Sequence, residues 1–577
     1  MHNRPTSRVG FAAAGFVLLA AASLVPNDAE PMLRSSGGAA PAPSEKHAPP
    51  AAANTLATGT RGMVSSAHPL ASEAGLEILR AGGNAFDASV AVAAALNVVE
   101  PENSGLGGYG TIVMYDVRTR EARFLNPSGR IPFAVNSDAF RAPTPNYLEN
   151  RRGAKAVSTP GNLHAWEALS KTCGTLPWPR LLAPAVRLAD DGFVLSEIGA
   201  RTIAAAFASF PPHARAIYGV DGRAPAPGER LVQKDLARSL RLIQSQGASA
   251  LYGGTLGKAI DTAMRQAGGF LAMKDLEADR AEWWKPIRIS YRGFEIASAS
   301  PPANTFDFLV RLGMMSRFDV AALGHNTTPY LHRFAEVTKH GFRVRLQCAG
   351  DPDVNPPPLE RLLSEKYWAE QVARLDLARA SRFTYPGGSP DRHTTHFVVA
   401  DQWGNVVSAT QTLGNSFGSR IMPEGTGIWL NNSLAYCTFE PKGNPMDAHA
   451  GRRKLSGDCP TIVMRAGRPW IAIGTPGGHT IGQTVPQMLM NLIDFRMDIA
   501  QAIAAPRISF VEPDELAVES GIPEQVRREL EAMGHKIQIS RALANATGLT
   551  IEYDRSGRAV RFTGAADPRG QGRAIGY

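Results

Sequence analysis

Two adjacent threonines, Thr394 and Thr395, sit between His393 and His396 at the start of a run that alternates as a β-strand. The segments "THFVVAD" and "NVVSATQT" read as antiparallel strands joined by the turn "DQWG" (401–404). Pairing Ala400 with Asn405 sets Thr394 opposite Gln411, one residue from Thr412. A strand-initial threonine with a hydroxyl neighbour suits one chemistry. If the His393–Thr394 peptide is cut, the freed α-amino group of Thr394 can act as base for its own Oγ. The bland alternative is that threonine is common in strands.

Two further motifs fail on context. "GLGGYG" (105–110) spells a dinucleotide fingerprint, but a helix precedes it and the strand "TIVMYD" follows, the reverse of the required order. "GNSFG" (414–418) spells a nucleophile elbow, yet the next residues, "GSRIMPEGTG", cannot form the helix an elbow needs. Neither a metalloprotease, phosphate-loop nor calcium-loop motif is present. Cys173, Cys348, Cys437 and Cys459 have no CxxC spacing. No metal and no cofactor is expected.

The elements around these residues follow from periodicity. "HPLASEAGLEILRAGG" predicts a helix from about Pro69, stopped by Gly82 and Gly83. "NAFDASVAVAAALNVV" predicts a nearly all-apolar, buried helix. "GTIVMYD" and "EARFLNP" predict paired strands, and residues 160–380 read as mostly helical. Strands return at 395–400, 405–412, 426–431, 460–465 and 470–473, with helices near 483–493, 498–504 and 523–533. Strands, then helices, then strands imply layered α/β packing rather than a regular βαβ series.

The 577 residues are 44% hydrophobic and 20% charged, a globular profile. The net charge of +9 is scattered, with no run of five or six basic residues, which argues against nucleic acid as a partner. Arg4 and Arg8 precede the apolar run "GFAAAGFVLLAAASLV" (10–25), too short to span a bilayer comfortably. Residues 1–29 therefore read as a signal peptide and 30–55 as a Pro/Ala-rich linker. A periplasmic or secreted protein, free of the membrane after signal removal, is expected.

From about Gly62 to Tyr577 the chain resembles the γ-glutamyltranspeptidase (glutathione hydrolase) proenzymes, which are N-terminal-nucleophile hydrolases. The resemblance lies in "GMVSSAHPLASEAGLEILRAGGNAFDA", "VVEPENSGLGG", "LPWPRLLAPAVRLADDGF", "TTHFVVADQWGNVVS", "GTGIWLNN", "CPTIV", "GTPGG" and "GAADPRGQGRAIGY", all in order. It implies a four-layer αββα sandwich, self-cleaved at His393–Thr394 into a large subunit (56–393) and a small one (394–577) that remain a heterodimer. It implies Thr394 as nucleophile, Thr412 as its orienting partner, and Gly477 and Gly478 as donors to an oxyanion. The substrate would be a small-molecule amide of γ-glutamyl type, with water or an amine as acceptor.

The departures fall in the substrate pocket. Counting back from Pro132, Ser128 stands where the family has its carboxylate-binding Arg, and Arg130 lies two residues on. Ser433 and Tyr436 replace the expected Gln and the Asp that pairs with the substrate ammonium. Gly414 replaces an Asn, with Asn415 next, and of two expected serines Ser456 remains while Gly457 replaces the other. Arg130, Asn415, Ser433, Tyr436 and Ser456 are thus the candidate substrate contacts. An altered acyl specificity (cephalosporin-acylase-like, or poly-γ-glutamate processing) and a non-catalytic scaffold are the alternative readings.

Overall fold

A single carboxylate shapes the hairpin that carries the two threonines. Asp401 Oδ1 accepts from the N–H groups of Trp403, Gly404 and Asn405, closing the turn between His393–Asp401 and Val406–Gly414. Its Oδ2 accepts from Ala85 N at 2.8 Å. That N–H opens the helix Ala85–Val99, whose first turn is closed by an Asn84–Asp87 capping box. The hairpin and the helix are therefore pinned to each other. Every residue of this helix is buried, and Pro101, after the cap residue Glu100, prevents its continuation.

The computed structural model describes residues 56–141, 149–383 and 393–577. The expected signal peptide (1–29) and linker (30–55) lie outside the described residues. Two seven-stranded sheets form the centre. The first runs through Arg573–Gly576, Gly62–Ser66, His393–Asp401, Val406–Gly414, Tyr109–Asp116, Glu121–Asn126 and Glu282–Trp284. The second runs through Leu56–Gly59, Ala559–Ala566, Thr547–Tyr553, Arg468–Gly474, Thr461–Arg465, Phe294–Ser298 and Ile287–Tyr291. Every ladder in both is antiparallel.

Period-two alternation assigns each face. Phe397, Val399, Val407 and Ala409 pack with helices Pro69–Arg80, Ala85–Val99 and Trp178–Asp191 on the outside of the first sheet. Val463, Ile471 and Ile473 pack with helices Thr305–Met315, Thr328–Cys348 and Ile481–Ile493 on the outside of the second. Val398, Ala400, Val113, Ile462, Ala472 and Leu549 fill the space between the sheets. The expected αββα sandwich is what forms.

Two expectations are corrected, and the mostly helical reading of the middle holds with added strands. Residues 426–431 are not a strand; only Leu430 makes an isolated bridge, to Gly107. The mostly helical middle contains the strands Glu282–Trp284, Ile287–Tyr291 and Phe294–Ser298. The hairpin register differs by one: Ala400 pairs with Val406, not Asn405. Among the described residues no helix is long and apolar enough to cross a membrane.

Candidate active site

The register brings the two threonines together. The regular ladder pairs Thr395 with Gln411, and then shifts so that His393 meets Gly414, leaving one extra residue on the partner strand. Gly414 adopts φ +97°, and a Cβ there would lie 2.1 Å from Asn432 Oδ1, so this turn of the ladder needs glycine. Opposite Thr394 stands Thr412. The Thr394 hydroxyl donates to Thr412 Oγ1 at 3.2 Å, and Thr412 Oγ1 donates to the carbonyl oxygen of His393 at 2.8 Å. Gly414 N donates to the same Thr412 oxygen at 2.8 Å. One hydroxyl thus touches both the candidate nucleophile and the carbonyl of the bond expected to break.

The neighbouring residues hold the strand. Thr395 points to the helical side and donates to Glu100 Oε2 at 2.8 Å; burial raises the Glu100 carboxyl above its ordinary value. His396 points between the sheets, with Nδ1 2.8 Å from Thr410 Oγ1 and Nε2 3.3 Å from Ser408 Oγ. Burial lowers its pKa to about 3, so it is a neutral imidazole at ordinary pH. Among the described residues it makes no hydrogen bond to the Thr394 hydroxyl. No titratable side chain among the described residues is hydrogen-bonded to Thr394 Oγ1, whose partner is Thr412.

The "GTPGG" loop leaves the sheet at the same end. A Cβ on Gly474 would lie 2.3 Å from the His396 ring. Gly477 and Gly478 have φ of +133° and +58°, and among the described residues neither N–H is hydrogen-bonded to another backbone group. Gly457 abuts this loop, since a Cβ there would lie 3.2 Å from Gly478 O, and a Cβ on Gly478 would lie 3.8 Å from Tyr436 Oη. Tyr436 and Ser456 therefore belong to one cluster with the two glycines. Ser456 Oγ donates to Asp458 Oδ2 at 2.8 Å.

The other candidates are already engaged. Arg130 donates to Glu282 Oε1 at 2.7 Å and to Gly451 O at 3.1 Å. Ser433 bonds Ser158 through their hydroxyls, and its N–H donates to Asn431 Oδ1. Asn415 is the exception: its backbone N–H donates to Asn432 Oδ1, while its own buried side-chain Oδ1 has no partner among the described residues.

Sequence reasoning missed Tyr109, Lys454 and Asp458. Tyr109 pairs with Thr412 across the ladder, so its side chain stands on the same face as the threonines. Lys454 Nζ lies 3.4 Å above the Tyr109 ring, close enough for a cation–π contact. Lys454, Tyr109 and Asp458 are all buried. Burial lowers the Lys454 ammonium to about 7 and raises the Asp458 carboxyl. The available signal was a charge pair flanking Ser456 in "RRKLSGDCP", where a strand-entry loop has no solvent reason to carry one.

One group of residues far along the helical layer has metal-ligand types. His332, Glu336 and His535 bring ligand atoms within 4.8 Å of one another. Glu336 already accepts from Lys339 Nζ at 3.0 Å and Ser381 N at 3.1 Å, and the two imidazoles hydrogen-bond each other at 2.9 Å. These contacts engage every member of the cluster, and the buried His535 Nδ1 has no hydrogen-bond partner among the described residues.

Comparison with known proteins adds to this geometry. The profile described as gamma-glutamyltranspeptidase matches residues 71–577. An acylase ACY 1 proenzyme of Pseudomonas sp. (strain V22) is 37% identical over 90% of this chain and 94% of its own length. A glutathione hydrolase proenzyme of Bacillus subtilis (strain 168) is 32% identical over 90% of this chain and 92% of its own. The crystal structure of cephalosporin acylase from Bacillus halodurans superposes with a TM-score of 0.84 at 29% identity, covering 93% of this chain and 99% of that one.

Proposed function

The chain belongs to the γ-glutamyltranspeptidase family, an enzyme family of acyl transfer and hydrolysis, and on that premise we propose that it is an exported proenzyme that cuts itself at His393–Thr394 and then uses Thr394 as an N-terminal nucleophile. The observation that carries this reading is the Thr412 hydroxyl, which donates to the His393 carbonyl while accepting from the Thr394 hydroxyl.

In self-cleavage, Thr394 Oγ attacks the His393 carbonyl carbon, and Thr412 stabilises the negative charge that builds on the carbonyl oxygen. Collapse breaks the C–N bond as the proton lost by Oγ passes to the departing Thr394 nitrogen, leaving an ester on Oγ with the α-amino group freed. Water hydrolyses the ester, giving a carboxylate on His393 and an intact Thr394 at a new N-terminus.

In turnover, the α-amine takes the proton from Oγ as the oxygen attacks a substrate amide carbonyl, and passes it to the departing amine. The Gly477 and Gly478 N–H groups receive the oxyanion. Water or a second amine resolves the acyl-enzyme by the same route. His396, held neutral and bonded to Thr410 and Ser408, keeps the strand in place and moves no proton.

The acyl group accepted differs from an ordinary γ-glutamyl group. Arg130 is tied to Glu282, and Tyr436 and Ser433 offer no charge to an ammonium. Charge-assisted hydrogen bonds are worth about 1.5–3 kcal/mol each, so losing two weakens recognition of a zwitterionic head by ~10²-fold or more. Similarity to the acylase proenzyme supports this reading.

The test is N-terminal sequencing of the smaller band from purified protein. It should begin Thr-Thr-His-Phe, and Thr394→Ala should stay a single inactive chain. A wild type that never cuts would leave the fold as a scaffold and overturn the proposal.

A further inference from the structure

Thr394 stands at one end of the sandwich, and the hairpin turns of both sheets gather at the other. Along the extended strand His393–Asp401, Thr394 and Asp401 are roughly 25 Å apart. The ladders carry the turns after Asp116, Tyr291, Arg465 and Tyr553 to the Asp401 end. Tyr115 Oη donates to Gly467 O at 3.5 Å, joining the two sheets there, and Arg120, Gly293 and Gly467 line one open groove.

Basic residues that are scattered in the sequence are collected at this end by the fold. Arg120, Arg123, Lys285, Arg465, Arg468 and Arg555 form no ion pair among the described residues, and all but the half-buried Arg123 are exposed. Three of them lie over aromatic rings: Arg123 is 4.0 Å from the Trp283 centroid, Arg465 4.9 Å from Trp470 and Arg468 5.9 Å from Tyr553. A ring face holds a cation in place without cancelling its charge. The acids of the same turns are spent. Asp116, Glu295 and Asp554 pair with Arg118, Arg288 and Arg558, and Asp401 is buried among backbone N–H groups. Of the acids in these turns, Glu121 alone is left to face the six cations.

Uncancelled cations spread over separate turns of two sheets match a broad array of anions better than one small ligand. Trp403, in the turn after Asp401, is 49% exposed. An indole has an apolar body and a polar N–H, which suits the boundary between lipid and water and has no counterpart in a soluble polyanion.

We propose that this end docks on anionic phospholipid headgroups, seating the protein on a membrane surface with the Thr394 site turned away from the bilayer. The contact is peripheral and needs no spanning helix. It is independent of which amide the enzyme cleaves.

The test is co-sedimentation of the purified protein with phosphatidylcholine vesicles, with and without phosphatidylglycerol. The anionic vesicles should bind at least tenfold tighter, and the difference should shrink as salt screens the charges. Each basic residue near such a surface is worth about fivefold, so Arg120→Glu, Arg123→Glu and Lys285→Glu together should lower the affinity at least ~10²-fold. A control changes the net charge equally on the helices Pro212–Tyr218, Thr255–Gln266 and Met273–Ala278, with Arg215→Glu, Lys258→Glu and Lys274→Glu. That control should keep most of the affinity. If the first triple does not fold, the exposed pair Arg468→Glu and Arg555→Glu takes its place, with a loss of at least tenfold. Trp403→Ala should weaken vesicle binding severalfold, and no loss overturns the choice of lipid. Equal binding to neutral and anionic vesicles, or an equal loss in the two triples, overturns the docking face. Binding to heparin without binding to anionic vesicles would assign the face to a soluble polyanion and overturn the membrane contact.

Discussion

At the scale of single residues, Thr412 has its hydrogen-bonding capacity filled: one proton given to the His393 carbonyl, and two protons accepted, from Thr394 and from Gly414 N. Removing the hydroxyl takes away the donor at the His393 carbonyl and the acceptor of the Thr394 hydroxyl, the two groups of the proposed self-cleavage. Thr412→Ala should slow self-cleavage by ~10–100-fold, the worth of one such bond to a developing charge, and Thr412→Ser should recover most of the rate. A time course of the two bands on a denaturing gel reads this, and a Thr412→Ala precursor that cuts at the wild-type rate contradicts the role. His396 makes a different prediction. Its folded pKa, about 3, lies below its unfolded value of 6.5. Between those values the unfolded chain binds more protons, so stability is full above about 6.5 and is lost as pH falls toward 3. His396→Asn should flatten the acid side of the Tm-versus-pH curve. An equally steep curve in that variant would show that His396 does not carry the acid sensitivity.

At the scale of elements, glycines decide what can approach what. Gly474 ends a strand against the His396 imidazole, with no room for a methyl group. Gly474→Ala should cost about 1–3 kcal/mol by overpacking and tilt the imidazole off Thr410. Denaturant unfolding should show the loss, and an unchanged midpoint would mean that the ring moves freely. The element pattern was legible in the sequence wherever one physical signal dominated. Pro69 with Gly82, and Asn84 with Asp87, mark helix ends by local chemistry alone, and the helices formed there. The hairpin was legible as well, but its register was off by one, because the carboxylate of Asp401 gathers three N–H groups and sets the turn in a way that alternation cannot show. The shift at Gly414 depends on Asn432, remote in sequence. Thr394, Thr412 and the paired glycines could be named from spacing and resemblance. The juxtaposition of Lys454 and Tyr109 could not, because it is made by a sheet ladder and a loop more than three hundred residues apart.

At the scale of the whole molecule, a cut after His393 breaks one peptide bond and leaves the sheets crossed many times by both fragments. In the first sheet, Gly62–Ser66 lies between Arg573–Gly576 and His393–Asp401, so one strand of the large fragment is held on both edges by the small one. Val406–Gly414 pairs with Tyr109–Asp116. In the second sheet, Thr461–Arg465 pairs with Phe294–Ser298, and Ala559–Ala566 pairs with Leu56–Gly59. The apolar layer between the sheets also draws on both, with Met63, Val113 and Phe124 against Val398, Ile462 and Leu549. Neither fragment can keep its sheets closed alone, and each would expose unpaired strand edges. The two bands of a denaturing gel should therefore elute as one particle in size exclusion without denaturant, and unfold in a single transition. Fragments that separate in buffer would contradict the interleaved ladders. The same interleaving would give the proposed nucleophile its place: Thr394, as a new chain end after the proposed cut, would stay in a strand held on one edge by Val406–Gly414 and on the other by Gly62–Ser66, so the freed amine would enter a site the uncut chain has already built.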